Sequence, residues 1–530
     1  MKKARFSLLL LVMAGVGVFF ATSVRAEPPG GDGAEKRSVA PAAAKKHGKH
    51  GWQFECTAVS GGLNTNLDCD DPFPNNEPNI VVDRGNPRHM IASSNDYGSC
   101  CDQYYTSFDA GATWSTGNMS VEDSSRTGSD PVTTIDVKHG VSLHSSLNYN
   151  FNANGEACDG DVVVSPSDDG GLTWKKPVQV YSGQGCDLSS VQIFNDKEWI
   201  STDNNPHSKF YGRTYLTWTA FLSNSAEYVE SPILESHSDD GGKHWSKAQE
   251  ISGSNAALCT FQTAGPAGEC DESQGSVSTV APNGTVYVAF MNSQNQALWE
   301  PGENSDDQYL VVKSKNGGED WSKPAFAAGL EDGSRDYPIN VDGRQTLTGY
   351  QVRVWGAGNI VASPTDGKLY LVYSDNSHGV HDSDHPVTNS DVFVTTSTNG
   401  TTWTTPVVVD AGAGDQWFPW ADVNPVTGNV GILYHDRGAS NGPTYNTALA
   451  EGQPGGLVKS IVSTAPSHPT QSEFFQAGVA GCEFCAVFHG DYIGLGYGTD
   501  GHSNSVWTDM RDPSPFTPGL FSQFIYYARR

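Results

Sequence analysis

The chain is predicted to be an all-β protein, a β-propeller of four-stranded antiparallel blades, on three observations. A turn of the form Ser-x-Asp-x-Gly-x-x-Trp recurs five times. Short runs of β-branched and aromatic residues flank each copy. Glycine is abundant (58 residues) and aromatics make up 10% of the chain, a composition suited to many short strands and tight turns.

The five copies are Ser107-Phe-Asp109-Ala-Gly111-Ala-Thr113-Trp114, Ser167 to Trp174, Ser238 to Trp245, Ser314 to Trp321 with Asn316 in place of Asp, and the shorter Ser397-Thr-Asn399-Gly400-Thr-Thr-Trp403. An Asp or Asn side chain accepts hydrogen bonds from backbone N–H groups a few residues on and so closes a turn. The glycine permits a positive φ, and the Trp folds back to bury a large apolar surface. The copies are about 60 to 83 residues apart, which marks a repeat architecture. The aspartates therefore read as turn formers.

Seven strand starts precede or follow these turns, at Glu77-Pro-Asn-Ile, Asp130-Pro-Val-Thr, Glu198-Trp-Ile-Ser, Gly275-Ser-Val-Ser, Gly356-Ala-Gly-Asn, Phe418-Pro-Trp-Ala and Asp491-Tyr-Ile-Gly. Each unit reads as four strands with the Trp turn between the third and fourth. Such a sheet cannot bury both faces alone, whereas radial stacking buries both and leaves little free edge. The sixth unit lacks the turn, and the seventh ends one strand short at Phe524-Ile-Tyr-Tyr. The segment at Trp52-Gln-Phe-Glu-Cys56 is expected to supply the missing strand, giving seven blades rather than six.

The N-terminus reads as an export signal: Lys2, Lys3 and Arg5, an apolar run from Phe6 to Ala21, then Val24-Arg25-Ala26 as a cleavage site. Residues 27–50, rich in Gly, Pro, Ala and Lys, read as a disordered spacer, and residues 51–530 as one domain. No later run is long enough to span a membrane, so a secreted or periplasmic monomer is expected. All ten Cys follow the signal and are expected to be paired. Cys158 with Cys186, Cys259 with Cys270 and Cys56 with Cys69 are candidate pairs. Cys482-Glu-Phe-Cys485 reads as a small structural loop, and Cys100-Cys101 is a vicinal pair without an assigned partner. A formal net charge of −28 argues against nucleic acid, whose phosphates require clustered Lys and Arg. No cofactor motif is present, and no ligand spacing commits a calcium or other metal site.

Strand order separates two faces. The starts of first strands and the ends of second strands converge on one mouth of the channel, opposite the Trp turns. That mouth gathers Glu77, Asp130, Glu198, Arg353, Trp417, Asp491 and Tyr492 from the starts, and Asp375, Asp436-Arg437 and Asp509-Met-Arg511 from the ends. Guanidinium forks match carboxylates, and paired acids offer general acid and base chemistry.

The five turns, with Asn76-Glu-Pro-Asn-Ile80, Asp415-Gln-Trp-Phe-Pro-Trp420, Gly490-Asp-Tyr-Ile-Gly494 and Trp507-Thr-Asp-Met-Arg511, resemble the sialidase-like (Asp-box, or BNR-repeat) superfamily and its exported bacterial exo-α-sialidase-like proteins. The resemblance covers most of residues 75–530. It implies an exported glycoside hydrolase acting on a carbohydrate or glycoconjugate, in sialidase form, with a non-catalytic glycan- or protein-binding propeller as the alternative. Carried onto this sequence, it nominates Arg353, Arg437 and Arg511 for a substrate-carboxylate triad, Tyr492 as nucleophile, Glu77 or Glu198 as its activator and Asp130 as acid/base. Asp491 joins the catalytic candidates, and Asp436, Asp509 and Trp417 the substrate-binding ones. Sialidases open with an aromatic-Arg-Ile-Pro segment; here Asn76-Glu77-Pro78 stands in its place.

Overall fold

The computed structural model describes residues 45–46, 52–57, 63–68, 71–187, 190–225, 227–260, 266–294, 307–333, 335–340, 343–382, 384–475 and 487–530. Seven antiparallel sheets follow one another along the chain as the blades of a propeller. The first is built on Asn75–Val82, Met90–Asp96, Asp102–Ser107 and Thr113–Asn118. The second uses Thr127–Asp136, Val141–Phe151, Ala157–Ser167 and Val178–Tyr181. The third adds a short side strand, Glu227–Glu230, to the usual plan. The innermost strands of the remaining blades are Ser273–Val280, Ile360–Ala362, Gln416–Val423 and Gly494–Tyr497.

Ring closure departs from expectation. The outer strand of the seventh blade is Thr65–Asn66, paired with Tyr527 and Tyr526. Trp52–Thr57 instead lies outside the first blade, along Thr113–Gly117, and Lys45–Lys46, inside the stretch expected to be a spacer, pairs onto it. Two residues suffice for closure because neighbouring groups extend the pairing. The Leu67 N–H donates to the Ile525 carbonyl at 2.8 Å, and the Ile525 N–H donates to the buried Asp68 carboxyl at 2.6 Å.

The Trp turns sit between third and fourth strands, as expected. In the second, the Asp169 carboxyl accepts the Thr173 N–H at 2.9 Å and the Thr173 hydroxyl at 2.6 Å, while the Ser167 hydroxyl accepts the Gly171 N–H at 2.8 Å. Gly171 has φ of 89°, and a Cβ there would stand 2.7 Å from Ile91 of the first blade. The turn thus needs glycine for its conformation and for close approach to the neighbouring blade. Trp114 of the first turn is buried, donates to the Gly111 carbonyl at 3.1 Å and packs edge-on to Tyr527 of the last blade.

Three disulfides join described cysteines: Cys158 to Cys186, Cys259 to Cys270, and Cys100 to Cys101, which bond to each other. The Cys56–Cys69 and Cys482–Cys485 expectations lie outside the described side chains. Among the described residues, no helix is long and apolar enough to cross a membrane.

Candidate functional site

Five of the seven expected strand starts prove to be β-bulges inside the innermost strands, whereas Gly356 and Asp491 lie just ahead of Ile360–Ala362 and Gly494–Tyr497. In the first, second, third, fourth and sixth blades the register shifts at one equivalent place, where two inner-strand residues face one on the second strand. The first bulge residue is left-handed each time: Glu77 (φ 57°), Asp130 (60°), Lys197 (51°), Gly275 (67°) and Phe418 (52°). Four of these five are not glycine and hold a conformation that costs about 1–2 kcal/mol. Bulges re-aim side chains, and strained backbone gathers at functional sites. Three consecutive blades thus present Glu77, Asp130 and Lys197 from one position.

These side chains meet others at the mouth. The long connector between the fourth and fifth blades brings Arg353, whose Nε donates to the Asp491 carboxylate at 3.0 Å while a terminal nitrogen grips the second oxygen. Trp355 donates its indole N–H to the Asp491 carbonyl at 3.2 Å. The Asp491 N–H donates to Glu77 Oε1 at 2.9 Å, Asn95 Nδ2 donates to Glu77 Oε2 at 2.7 Å, and the Asp130 N–H donates to Asn95 Oδ1 at 2.7 Å. One hydrogen-bonded chain therefore runs from the connector through the seventh and first blades to the second.

Lys197 completes the cluster. Its ammonium is buried, has no hydrogen-bond partner among the described residues and stands 3.5 Å from the Tyr492 ring centroid and 5.2 Å from that of Trp199. Trp199, Trp420 and Tyr492 lie beside one another, with centroids 4.8 and 6.1 Å apart along the series.

Electrostatics follow from burying acids together. Burial, followed by repulsion from Asp196, pushes the Asp130 carboxyl up to about 7. Burial, then Asp130 and Asp491, pushes Glu77 well above the carboxylate range, and Glu198 rises by burial and the nearby Asp130. Burial lowers Lys197, against the pull of Asp130 and Glu77. Glu198 is fully buried, with one oxygen accepting the Ser145 hydroxyl at 3.2 Å and the other without a partner among the described residues. Asp130 remains partly exposed.

Glu77, Asp130, Glu198, Arg353, Asp491 and Tyr492 of the expected set therefore come together. Tyr492 lies in the core with its hydroxyl toward the Pro131 carbonyl at 3.5 Å. The remaining candidates are engaged elsewhere. Arg437 bonds Asp415 and the carbonyls of Thr348, Asn441 and Gly442, and Arg511 bonds Asp509, Asn64 and Thr464. Among the described residues the guanidiniums of Arg353, Arg437 and Arg511 each pair with an acid of their own, Asp491, Asp415 and Asp509. Asp436 pairs with Lys459 at 2.7 Å, and Trp417 is buried against Tyr445 and His435. Sequence reasoning missed Lys197, Asp196 and Asn95. The recurring bulge register, visible once Glu77-Pro78, Asp130-Pro131 and Phe418-Pro419 are aligned with Lys197-Glu198, is the signal that finds the lysine.

No family model and no curated protein matches the chain. Among solved structures it is similar to an α-L-arabinofuranosidase of Fusarium graminearum (13% identity, 73% of this chain and 98% of that one, TM-score 0.44). It is likewise similar to a Hadza microbial sialidase (12%, 90% and 92%, 0.42) and to the NanB sialidase of Streptococcus pneumoniae (10%, 83% and 83%, 0.41). At these values none of the neighbours' activities transfers to this chain. What its own sheets define is a seven-bladed β-propeller with an acidic mouth.

Proposed function

We propose that the protein is an exported glycoside hydrolase working at the mouth built by the bulges, with Asp130 as general acid and Asp491 as the partnering carboxylate. One observation carries this reading: two carboxyls on adjoining parts of the mouth stand in opposite surroundings. Asp130, pushed up to about 7 by burial and by Asp196, keeps a proton to give near neutral pH, whereas Asp491 is gripped in the Arg353 fork. Environments that separate two acids in this way assign the acid and base roles. Donation to the glycosidic oxygen makes the leaving group neutral, and the second carboxylate activates water or attacks the anomeric carbon. Lys197 supplies positive charge within the cluster, and the Glu77–Asn95 link holds the two acids in register.

Export is supported by the basic, apolar and small-residue sequence of the first 26 positions and by the disulfides, which persist in oxidising compartments. The sialidase form draws no support from Arg437 and Arg511, whose terminal nitrogens are bound to neighbours. The test is a panel of fluorogenic glycosides, a sialoside and an arabinofuranoside among them, with the mature protein. Turnover that disappears in Asp130→Asn supports the reading. Inactivity on every member, with retention on a glycan array, overturns it in favour of a binding propeller.

A further inference from the structure

A second group of ligand-type side chains lies outside this cluster. Glu331 and Asp336, at the start of the connector between the fourth and fifth blades, meet His381 from the loop after Leu369–Asp375, the second strand of the fifth blade. One donor atom from each lies within 4.8 Å of the others. Around an ion with tetrahedral bonds of about 2.1 Å, two ligand atoms stand about 3.4 Å apart, so the group needs to close by at most about 1.4 Å. We propose that Glu331, Asp336 and His381 bind one divalent transition-metal ion, Zn2+ or Mn2+, which fastens the connector to the fifth blade.

The donor set selects the ion class. Imidazole nitrogen favours Zn2+ and its neighbours, carboxylates favour harder ions, and a mixed set disfavours Ca2+, which takes six to eight oxygens. Access and burial are graded as a site requires. Asp336 is fully buried, whereas the His381 side chain keeps 26% exposure and Glu331 is half-buried. His381 Nδ1 already contacts Asp336 Oδ1, and the other Asp336 oxygen accepts the Gly333 N–H at 2.6 Å, an outer contact that orients the carboxylate.

A further buried acid adjoins the group. The Asp375 carboxyl, buried just behind, accepts the Glu331 N–H at 2.7 Å. The two loops are also fixed to each other by backbone, through the Asp382 N–H to the Arg335 carbonyl at 3.0 Å. In sequence the same loop reads His378-Gly-Val-His381-Asp-Ser-Asp-His385, the kind of His-rich tract that binds metals.

The consequence reaches the mouth. Arg353 and Trp355 lie on this connector and both hold Asp491, so an ion at its root restrains the segment that aims them. The inference stands apart from any activity. Mature protein stripped with chelator is titrated calorimetrically with ZnCl2, MnCl2 and CaCl2, and its thermal unfolding is followed in parallel. A single saturable site, tighter for Zn2+ or Mn2+ than for Ca2+ and raising the unfolding midpoint, is expected. His381→Ala weakens it by more than about tenfold, the loss that even an outer partner's removal produces. His385→Ala, exposed in the same tract, leaves it unchanged. Absence of saturable binding, tighter Ca2+ binding, or equal effects of the two histidine variants overturns the proposal.

Discussion

Glu77 accepts the backbone N–H of Asp491 at 2.9 Å, joining the first blade to the last across 414 positions of chain. The bond does two jobs. It ties the ring shut on its inner side, where Thr65–Asn66 ties it on the outer side. It also fixes Asp491 between a buried carboxyl and the Arg353 fork, so the place where the chain closes is also where the mouth's acids are set.

If Asp130 donates the proton, its protonated fraction sets the rate. Held at about 7, the group is protonated below that pH and ionised above it. The value of kcat/KM is therefore expected to fall by about tenfold per pH unit above pH 7, and Asp130→Asn to lower kcat by about 10²- to 10⁴-fold. A pH–rate profile of wild type against the variant checks both. An alkaline limb that survives in Asp130→Asn counts against the assignment.

Removing the fork leaves Asp491 without its cation. Arg353→Met is expected to cost about 2–4 kcal/mol, somewhat below a fully buried pair because the guanidinium keeps 23% exposure. Arg353→Lys restores charge but not two parallel N–H bonds, and is expected to recover only part of the loss. Chemical denaturation of the three proteins decides it. Full recovery with lysine would mean that charge alone matters.

Gly490 stands at φ of 89° before Asp491, and a Cβ there would come 2.9 Å from the Glu77 nitrogen. Gly490→Ala is expected to lose about 1–3 kcal/mol and to separate Glu77 from Asp491. A lowered unfolding midpoint together with reduced turnover is the signature. Normal turnover would show that the Glu77 contact is dispensable.

The Trp turns offer the opposite control. Asp169→Ala removes acceptors for the Thr173 N–H and hydroxyl, a loss of about 1–2 kcal/mol. Because the turn lies on the face away from the mouth, kcat and KM measured well below the unfolding midpoint are expected to stay at wild-type values. A change in KM would place chemistry on the wrong face.

The fold was largely legible because its signals are local. The Ser167–Asp169–Gly171 turn is written within a few residues, as hydrogen bonds from a side chain to the backbone just beyond it. Thr65–Asn66 carries no such pattern: two residues become a strand only because Tyr526 and Tyr527 present a free edge. At the mouth, Asp130 and Glu77 are legible because each opens a run that reads as the first strand of a blade. Lys197, flanked by Asp196 and Glu198, reads as solvated charge, and only the left-handed bulge turns it over Tyr492. The engagement of Arg437 with Asp415 and of Arg511 with Asn64 rests on contacts between distant loops, which residue spacing does not encode.

The Trp turns also give the ring an order of construction. The second blade's turn rests on the first, where the Thr106 hydroxyl donates to the Gly171 carbonyl at 2.7 Å. The fourth rests on the third through Arg213 and the Gly317 carbonyl, and the fifth on the fourth through Lys313 and the Thr401 hydroxyl. A chain emerging from its N-terminus can thus seat each new turn on a sheet already made. The first turn is the exception, since Gly111 and Trp114 rest on Tyr527 of the seventh blade, synthesised long after them. Nascent chains cut before residue 520 are expected to protect Thr106 from hydrogen exchange while leaving Trp114 fluorescence solvent-quenched, and co-appearance of the two signals would refute this vectorial assembly.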